Sequence, residues 1–163
     1  MKTWELRPIE EAHLLNPAFC GELLRRAIRQ YSVFGTSAFP YPLTFLVLPI
    51  VLHRQTRELI SPNTREQLHV WLQNNQSARV GFAERAARLV PITNESLNFL
   101  LQLQVATIDN SAKLRVTTAI KPINSEMGDA EIRDCYRKAE IIGRWFARAG
   151  NPANVYTMWG VKP

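Results

Sequence analysis

Few side chains in this sequence have the types and spacing that catalysis needs. The histidines, His13, His53 and His69, stand in unrelated contexts, without an HExxH pattern or a cysteine at metal-ligand spacing. Neither a phosphate-binding glycine loop nor a GxSxG elbow is present. Cys20 with His53 is the one nucleophile-and-base pair to consider. Cys20 falls on the apolar stripe of a predicted helix, where cysteine packs as a small core residue. We therefore expect no enzymatic activity, metal or cofactor.

Basic side chains are the second group that could bind a ligand. The formal net charge is +6, which suits nucleic acid, an acidic protein or an acidic ligand without choosing among them. The candidate contacts for DNA or another anion lie on a predicted helix and hairpin: Arg79, Arg85, Arg88, Lys113 and Arg115. The cluster of Arg25, Arg26 and Arg29 is either an anion-contacting surface or, with more weight, a solvated helix face.

Composition indicates one folded domain over residues 1–163. Apolar residues make up 46% of the chain and charged residues 21%, which is typical of a protein with a real core and argues against disorder. Cys20 and Cys135 lack metal-ligand spacing, and no secretion signal is evident. These features favour a reduced cytoplasmic protein that does not associate with a membrane.

The longest apolar run, PYPLTFLVLPIVLH at 40–53, should be the buried centre of the fold. It is too short to span a bilayer, which needs roughly 20 apolar residues. Pro49 predicts a kink or restart within it. Helices should precede it in residues 1–40, starting at 7–11 and at Asn16 with Pro17, with a loop at 32–37. Cap signals at 61–62 or 63–66 predict another helix after it.

Residues 41–121 have the element order of a winged helix-turn-helix. A helix at 79–89, a tight connection at 91–93 and a helix capped by Thr93 are followed by two short strands around a polar turn, at 105–108 and 113–118. The expected class is therefore mainly α with a small β-hairpin, a winged helix-turn-helix-like core and a long C-terminal helix.

The second helix of that unit lacks the residues that read DNA. Residues 94–104 contain no Arg or Lys, which sequence-specific helices use for guanine and phosphate contacts. Apolar residues on nearly every side indicate burial in the domain or against a partner. We therefore predict a protein-binding module, with Phe99 and Leu103 among the partner contacts.

Residues 122–163 should form a linker, a long helix and a docked tail. Asp129 is the predicted cap of the helix, Gly150 its stop, and Gly143 a point of close packing against another backbone. The tail at 155–161 is aromatic and β-prone. The residue types expected in an interface are Arg144, Trp145, Tyr156 and Trp159, although the aromatic ones suit a core equally well.

Five segments together resemble the middle component of bacterial three-component ABC systems: NPAFC at 16–20, PLTFLVLPIVLH at 42–53, TRE at 56–58, GRWFA at 143–147 and WGVKP at 159–163. The resemblance covers essentially the whole chain. It implies defence against phage or plasmids of the Lamassu kind, in which a small middle subunit accompanies an SMC-like ABC ATPase and an effector, often a nuclease. No catalytic pattern comes with the resemblance.

The predicted function is thus a non-catalytic adaptor that docks on the ATPase and controls release of the effector, with DNA contacted through the complex. The competing interpretation is a stand-alone winged-helix DNA-binding regulator, whose DNA affinity would fall steeply with salt. A third is a small enzyme built on Cys20 and His53.

Overall fold

The computed structural model of the protein describes residues 15–62, 65–117, 124 and 129–162. The helix start predicted at 7–11, the cap signal at 63–64 and most of the linker predicted at 122–128 lie outside these residues. The described part of the chain is mainly helical with a small antiparallel sheet, which confirms the predicted class.

Seven α-helices and three strands follow one another within the described residues: α1 Pro17–Phe34, β1 Phe39–Pro40, α2 Thr44–Val51, α3 Arg54–Leu59, α4 Leu68–Asn74, α5 Phe82–Gln102, β2 Ala106–Ile108, β3 Lys113–Val116, α6 Ala130–Arg148 and α7 Pro152–Trp159. Short 3-10 turns, Tyr41–Leu43 and Gln76–Arg79, precede α2 and α5. Buried side chains from α1 to α7 form one hydrophobic cluster. The most extensive helix packing is between α1 and α6.

Helix α1 begins where the sequence predicts and ends later. The Asn16 side chain accepts a 2.8 Å hydrogen bond from the backbone N–H of Ala18, and Pro17 is the first helical residue. This arrangement satisfies a free amide of the first turn. The helix continues to Phe34, although residues 32–37 are predicted to be a loop. Ser32, Val33 and Phe34 in its last turn are exposed.

The central apolar run forms α2, most of whose residues are buried, as predicted. Thr44 Oγ1 donates a 2.6 Å hydrogen bond to the Tyr41 carbonyl at the start of this helix. Pro49 lies inside α2 without a second helix start. Pro49 has no N–H to donate to the Phe45 carbonyl, so it removes one backbone hydrogen bond from α2. Helix α4, which comes after α3, begins at Leu68. This start is later than both predicted cap signals, at 61–62 and 63–66.

Helix α5 departs most from the predicted architecture, because it is continuous from Phe82 to Gln102. The turn predicted at 91–93 is therefore wrong, and the described residues contain no helix-turn-helix there. Pro91 is exposed, so the Ala87 carbonyl that loses its helical partner can be hydrated, and the helix survives the proline. Thr93, the predicted cap, is buried within the helix.

The predicted hairpin is present and joins a strand that the sequence did not predict. Strands β2 and β3 pair antiparallel, and β1 adds to the other edge of β3 to give the order β1-β3-β2. Asp109 Oδ1 accepts hydrogen bonds from the N–H groups of Ser111 and Lys113 at 2.9 and 3.0 Å, which shapes the turn. Strand β1 has two residues, one of them Pro40, so it gives no period-two pattern.

The C-terminal part contains two helices, α6 and α7, and no strand among its described residues. Asp129 caps α6 by accepting a 2.9 Å hydrogen bond from the Ile132 N–H, as predicted. The β-prone tail is instead α7, with Asn151 as its cap, Pro152 in its first turn and Gly160 in the left-handed conformation at its end. The cap, proline and glycine together outweigh the β propensity of the residues between them.

Candidate partner-binding surface

Helices α1 and α6 pack side by side in the same direction. The Phe19 and Tyr136 rings lie 6.1 Å apart near the starts of the two helices. Further along, Gly143 approaches the α1 backbone so closely that a Cβ there would lie 2.2 Å from the Ala27 carbonyl oxygen. The predicted close backbone contact at Gly143 is therefore an internal one between α1 and α6.

This packing brings the C-terminal ends of α1 and α6 together and creates an exposed patch. The Arg–Phe patch, as we name it, consists of Arg29, Val33, Phe34, Arg144 and Arg148. The Val33 residue is 65% exposed and Phe34 is 47% exposed. The guanidinium carbons of Arg144 and Arg148 lie 5.7 and 5.6 Å from the centre of the Phe34 ring. Cations at this distance from an aromatic face are attracted to it.

The arginines of the patch differ from the buried arginines beside them. Glu22 accepts hydrogen bonds from Arg25 at 2.6 and 2.8 Å and from Arg26 at 2.7 Å, and Arg26 also donates to Glu140 at 2.7 Å. Glu22, Arg25 and Arg26 are each about 5% exposed. Both interpretations of the 25–29 cluster are therefore wrong for Arg25 and Arg26, which form an internal ion-pair network. Only Arg29 of that cluster faces solvent.

Three aromatic residues predicted for an interface lie in the core. Trp145, Tyr156 and Trp159 are at most 7% exposed. Trp145 Nε1 donates a 2.7 Å hydrogen bond to the Glu66 carbonyl, and the Tyr156 hydroxyl donates one of 2.7 Å to the Pro42 carbonyl. The Trp159 ring stacks on Phe82 with centroids 4.2 Å apart. These side chains hold α7 and α4 against the rest of the chain and present little surface to a partner.

The remaining predicted contacts lie at other places on the surface. Phe99 is half-buried on α5, and Leu103, just after that helix, is 53% exposed. The Phe99 ring lies beside Gly21 near the start of α1, at the other end of that helix from the Arg–Phe patch.

The predicted anion contacts divide among three elements: the 3-10 turn before α5, α5 itself and β3. Arg79, Arg88 and Arg115 are exposed, and Lys113 is half-buried in β3. Arg85 instead donates to the carbonyls of Val80 and Ala78 at 2.7 and 3.2 Å. Burial, followed by the charge of Arg88, lowers the pKa of Arg85.

The sequence matches the family model described as ABC-three component (ABC-3C) system Middle Component 3 over residues 4–163. The chain belongs to this family. No curated protein and no solved structure matches it. The predicted resemblance to a middle component is thereby confirmed, while its Lamassu-like and SMC-type details stay predictions.

The candidate nucleophile and base of this middle component are each engaged by other groups. Cys20 is fully buried in α1, and burial raises the pKa of its thiol to about 12 despite a hydrogen bond with Ser96. His53 caps α3: its Nδ1 accepts a 3.3 Å hydrogen bond from the Thr56 N–H, and the Thr56 hydroxyl lies 2.8 Å away. Burial, then the charge of Arg85, lowers the pKa of His53. Both residues therefore have structural roles.

Arg57, in the TRE segment, is a structural residue that sequence reasoning did not identify. It is 4% exposed, and its guanidinium donates to the Val51 carbonyl at 3.0 Å, to Asp134 at 3.1 Å and to Glu131. The arginine thus ties α3 to the end of α2 and the start of α6. The acidic residues in the first turns of α6 were its only sequence signal.

A cavity of about 470 Å³ lies where the start of α1, the end of α2 and the start of α6 meet in the middle component. Phe19, Leu52, Ile132 and Cys135 contribute to its lining. Burial raises the pKa of the Cys135 thiol to about 11, so the thiol is protonated at neutral pH.

The described residues contain no cluster of three or more His, Cys, Asp or Glu side chains that could hold a metal ion. None of the helices in the described part of the chain has the length and apolar character that a membrane span requires.

Proposed function

We propose that this middle component is a non-catalytic adaptor that links an SMC-like ABC ATPase to an effector, such as a nuclease, in a Lamassu-like system for defence against phage or plasmids. The family match over residues 4–163 carries the proposal, because it makes the chain one component of a three-component system. Rearrangement of the ATPase on foreign DNA would act through the adaptor to free the effector.

The internal structure supports a role that depends on surfaces rather than on an active site. Cys20 is protonated in the core, His53 caps a helix, and Arg57 is occupied by two carboxylates and a carbonyl. These three side chains are thus engaged in holding the fold together. A protein whose reactive side chains are used in this way acts in a complex through the shape and charge of its surface.

DNA would be contacted through the complex. Arg79, Arg88 and Arg115 are exposed and could meet the phosphates of DNA that the ATPase already holds. The continuity of α5 argues against the stand-alone winged-helix regulator, because the turn that would set a recognition helix apart is missing. Residues 94–104 of that helix also carry no Arg or Lys.

Co-expression with the products of the neighbouring genes, followed by size-exclusion chromatography with mass determination, tests the adaptor role. We expect the chain to co-elute with an ABC ATPase and with the effector. A free monomer or dimer that binds neither the ATPase nor the effector would contradict the proposal. So would a complex of the other two components that assembles normally and still protects cells from phage after deletion of the middle component.

A further inference from the structure

We infer that the Arg–Phe patch docks an acidic protein surface with an apolar centre on another component of the same complex. This inference rests on the proposed function and adds to it the place and chemistry of one contact. The occupant we commit to is a protein segment whose Asp or Glu side chains surround at least one apolar side chain.

The charges of the patch are unbalanced within the described chain. Arg29, Arg144 and Arg148 have no carboxylate partner among the described residues, whereas Arg25 and Arg26 nearby are paired with Glu22 and Glu140. Cations are favoured near helix C-termini, where the backbone carbonyls are unpaired. That effect fades within the last turn and does not account for Arg29, which lies more than a turn before the end of α1. Carboxylates of another protein would pair with these three arginines.

The apolar part of the patch calls for a protein rather than a phosphate backbone. Val33 and Phe34 are neighbours in sequence and both largely exposed. Phe34 lies against Arg144 and Arg148, and Val33 is one helical turn after Arg29. Contacts to DNA phosphates need donors and charge, and gain little from an exposed valine. Aromatic residues and arginine are, by contrast, the types enriched in protein interfaces and their energetic centres.

The surface is already organised before a partner arrives. The close contact between Gly143 and Ala27 fixes α6 against α1 immediately before Arg144. The ion pair between buried Arg26 and part-buried Glu140 joins the same helices on the preceding turn. Docking would therefore order only the outer arginine side chains, which lowers the entropic cost of binding.

The test compares the reconstituted complex containing the wild-type chain with complexes containing two pairs of matched variants. The charge pair is R144E/R148E against R54E/R65E, which makes the same charge change at exposed arginines outside the patch and outside the predicted DNA contacts. The apolar pair is Phe34→Ser against Val80→Ser, since Val80 is 74% exposed outside the patch. Circular dichroism of each purified variant verifies that it folds.

We expect each patch variant to weaken binding to one identified component by about tenfold or more, and each control to change it by less than about twofold. Raising NaCl from about 0.1 to about 0.5 M should weaken the wild-type complex more than the R144E/R148E complex, because salt screens the contact.

Three results would overturn the inference. Patch variants that assemble like wild type would refute it and leave the adaptor role standing. Variants that assemble normally but lose retention on a DNA duplex of about 40 base pairs would assign the patch to nucleic acid instead. A wild-type chain that joins no complex at all would refute both the adaptor role and this inference.

Discussion

Gly143 makes the closest approach to backbone among the described glycines. A Cβ at this position would lie 2.2 Å from the Ala27 carbonyl oxygen, and backbone cannot move aside as a flexible side chain can. Glycine-to-alanine changes inside helices normally stabilise by about 1 kcal/mol. For Gly143→Ala we expect the opposite sign, a loss of roughly 2 kcal/mol or more, because α1 and α6 must separate. Urea unfolding of the purified chain measures the change.

Gly21→Ala is the matched control for that experiment. Gly21 also lies inside a helix, but a Cβ there would meet the Leu100 side chain at 3.3 Å, which can shift by a few tenths of an ångström. We expect its free energy of unfolding to change by less than about 1 kcal/mol. Equal losses of stability in the two variants would show that the clash with the Ala27 backbone is not what destabilises Gly143→Ala.

The buried thiols make a second residue-level prediction. Burial raises the pKa of Cys20 from 9.0 to about 12 and that of Cys135 from 9.0 to about 11. At about pH 8 neither thiol of the native protein should react with Ellman's reagent, and both should react in urea. Rapid labelling of the native chain would contradict the burial.

The same shifts set the sign of a pH dependence. As the pH rises above 9, the unfolded chain releases thiol protons that the folded chain keeps. The stability that these groups contribute is therefore complete below pH 9 and falls between 9 and about 12. Unfolding curves recorded across this range, with a Cys20→Ala variant for comparison, isolate the part due to Cys20.

At the level of elements, the continuity of α5 can be tested through its proline. Pro91→Ala would restore a backbone hydrogen bond to the Ala87 carbonyl on an exposed helix face. We expect stabilisation of about 1–3 kcal/mol, since proline is disfavoured by about 3 kcal/mol in a helix interior. Chemical unfolding gives the value. If residues 91–93 were a turn between two helices, the same change would be neutral or destabilising.

The elements that the sequence predicts well are those whose local signals agree. In α6 the Asp129 cap, the apolar stripe and the Gly150 stop all point to the same helix, and it is present. In α5 the proline and threonine suggest a break, but packing of Phe82, Leu97 and Leu100 on the core keeps the helix whole. Propensity is a weak guide where tertiary packing supplies most of the energy.

At the level of the whole molecule, the candidate patch depends on information that no local pattern contains. Arg144 was predicted as an interface residue, but Phe34 belonged to a predicted loop and Arg29 to a cluster whose other arginines are buried. The patch exists because α1 and α6 run in parallel and end together. Only the fold fixes that arrangement, since 110 residues separate the positions 34 and 144.

The parallel pairing of α1 with α6 has a consequence for how the chain is made. Arg26 and Glu140, which form a part-buried salt bridge, are 114 positions apart. A ribosome adding about 5–20 residues per second needs roughly 6–23 s to synthesise that interval. During this time the apolar face of α1 has emerged while the helix that covers it does not yet exist. Folding must therefore be completed late in synthesis, and chaperones or a neighbouring subunit have time to bind α1 first.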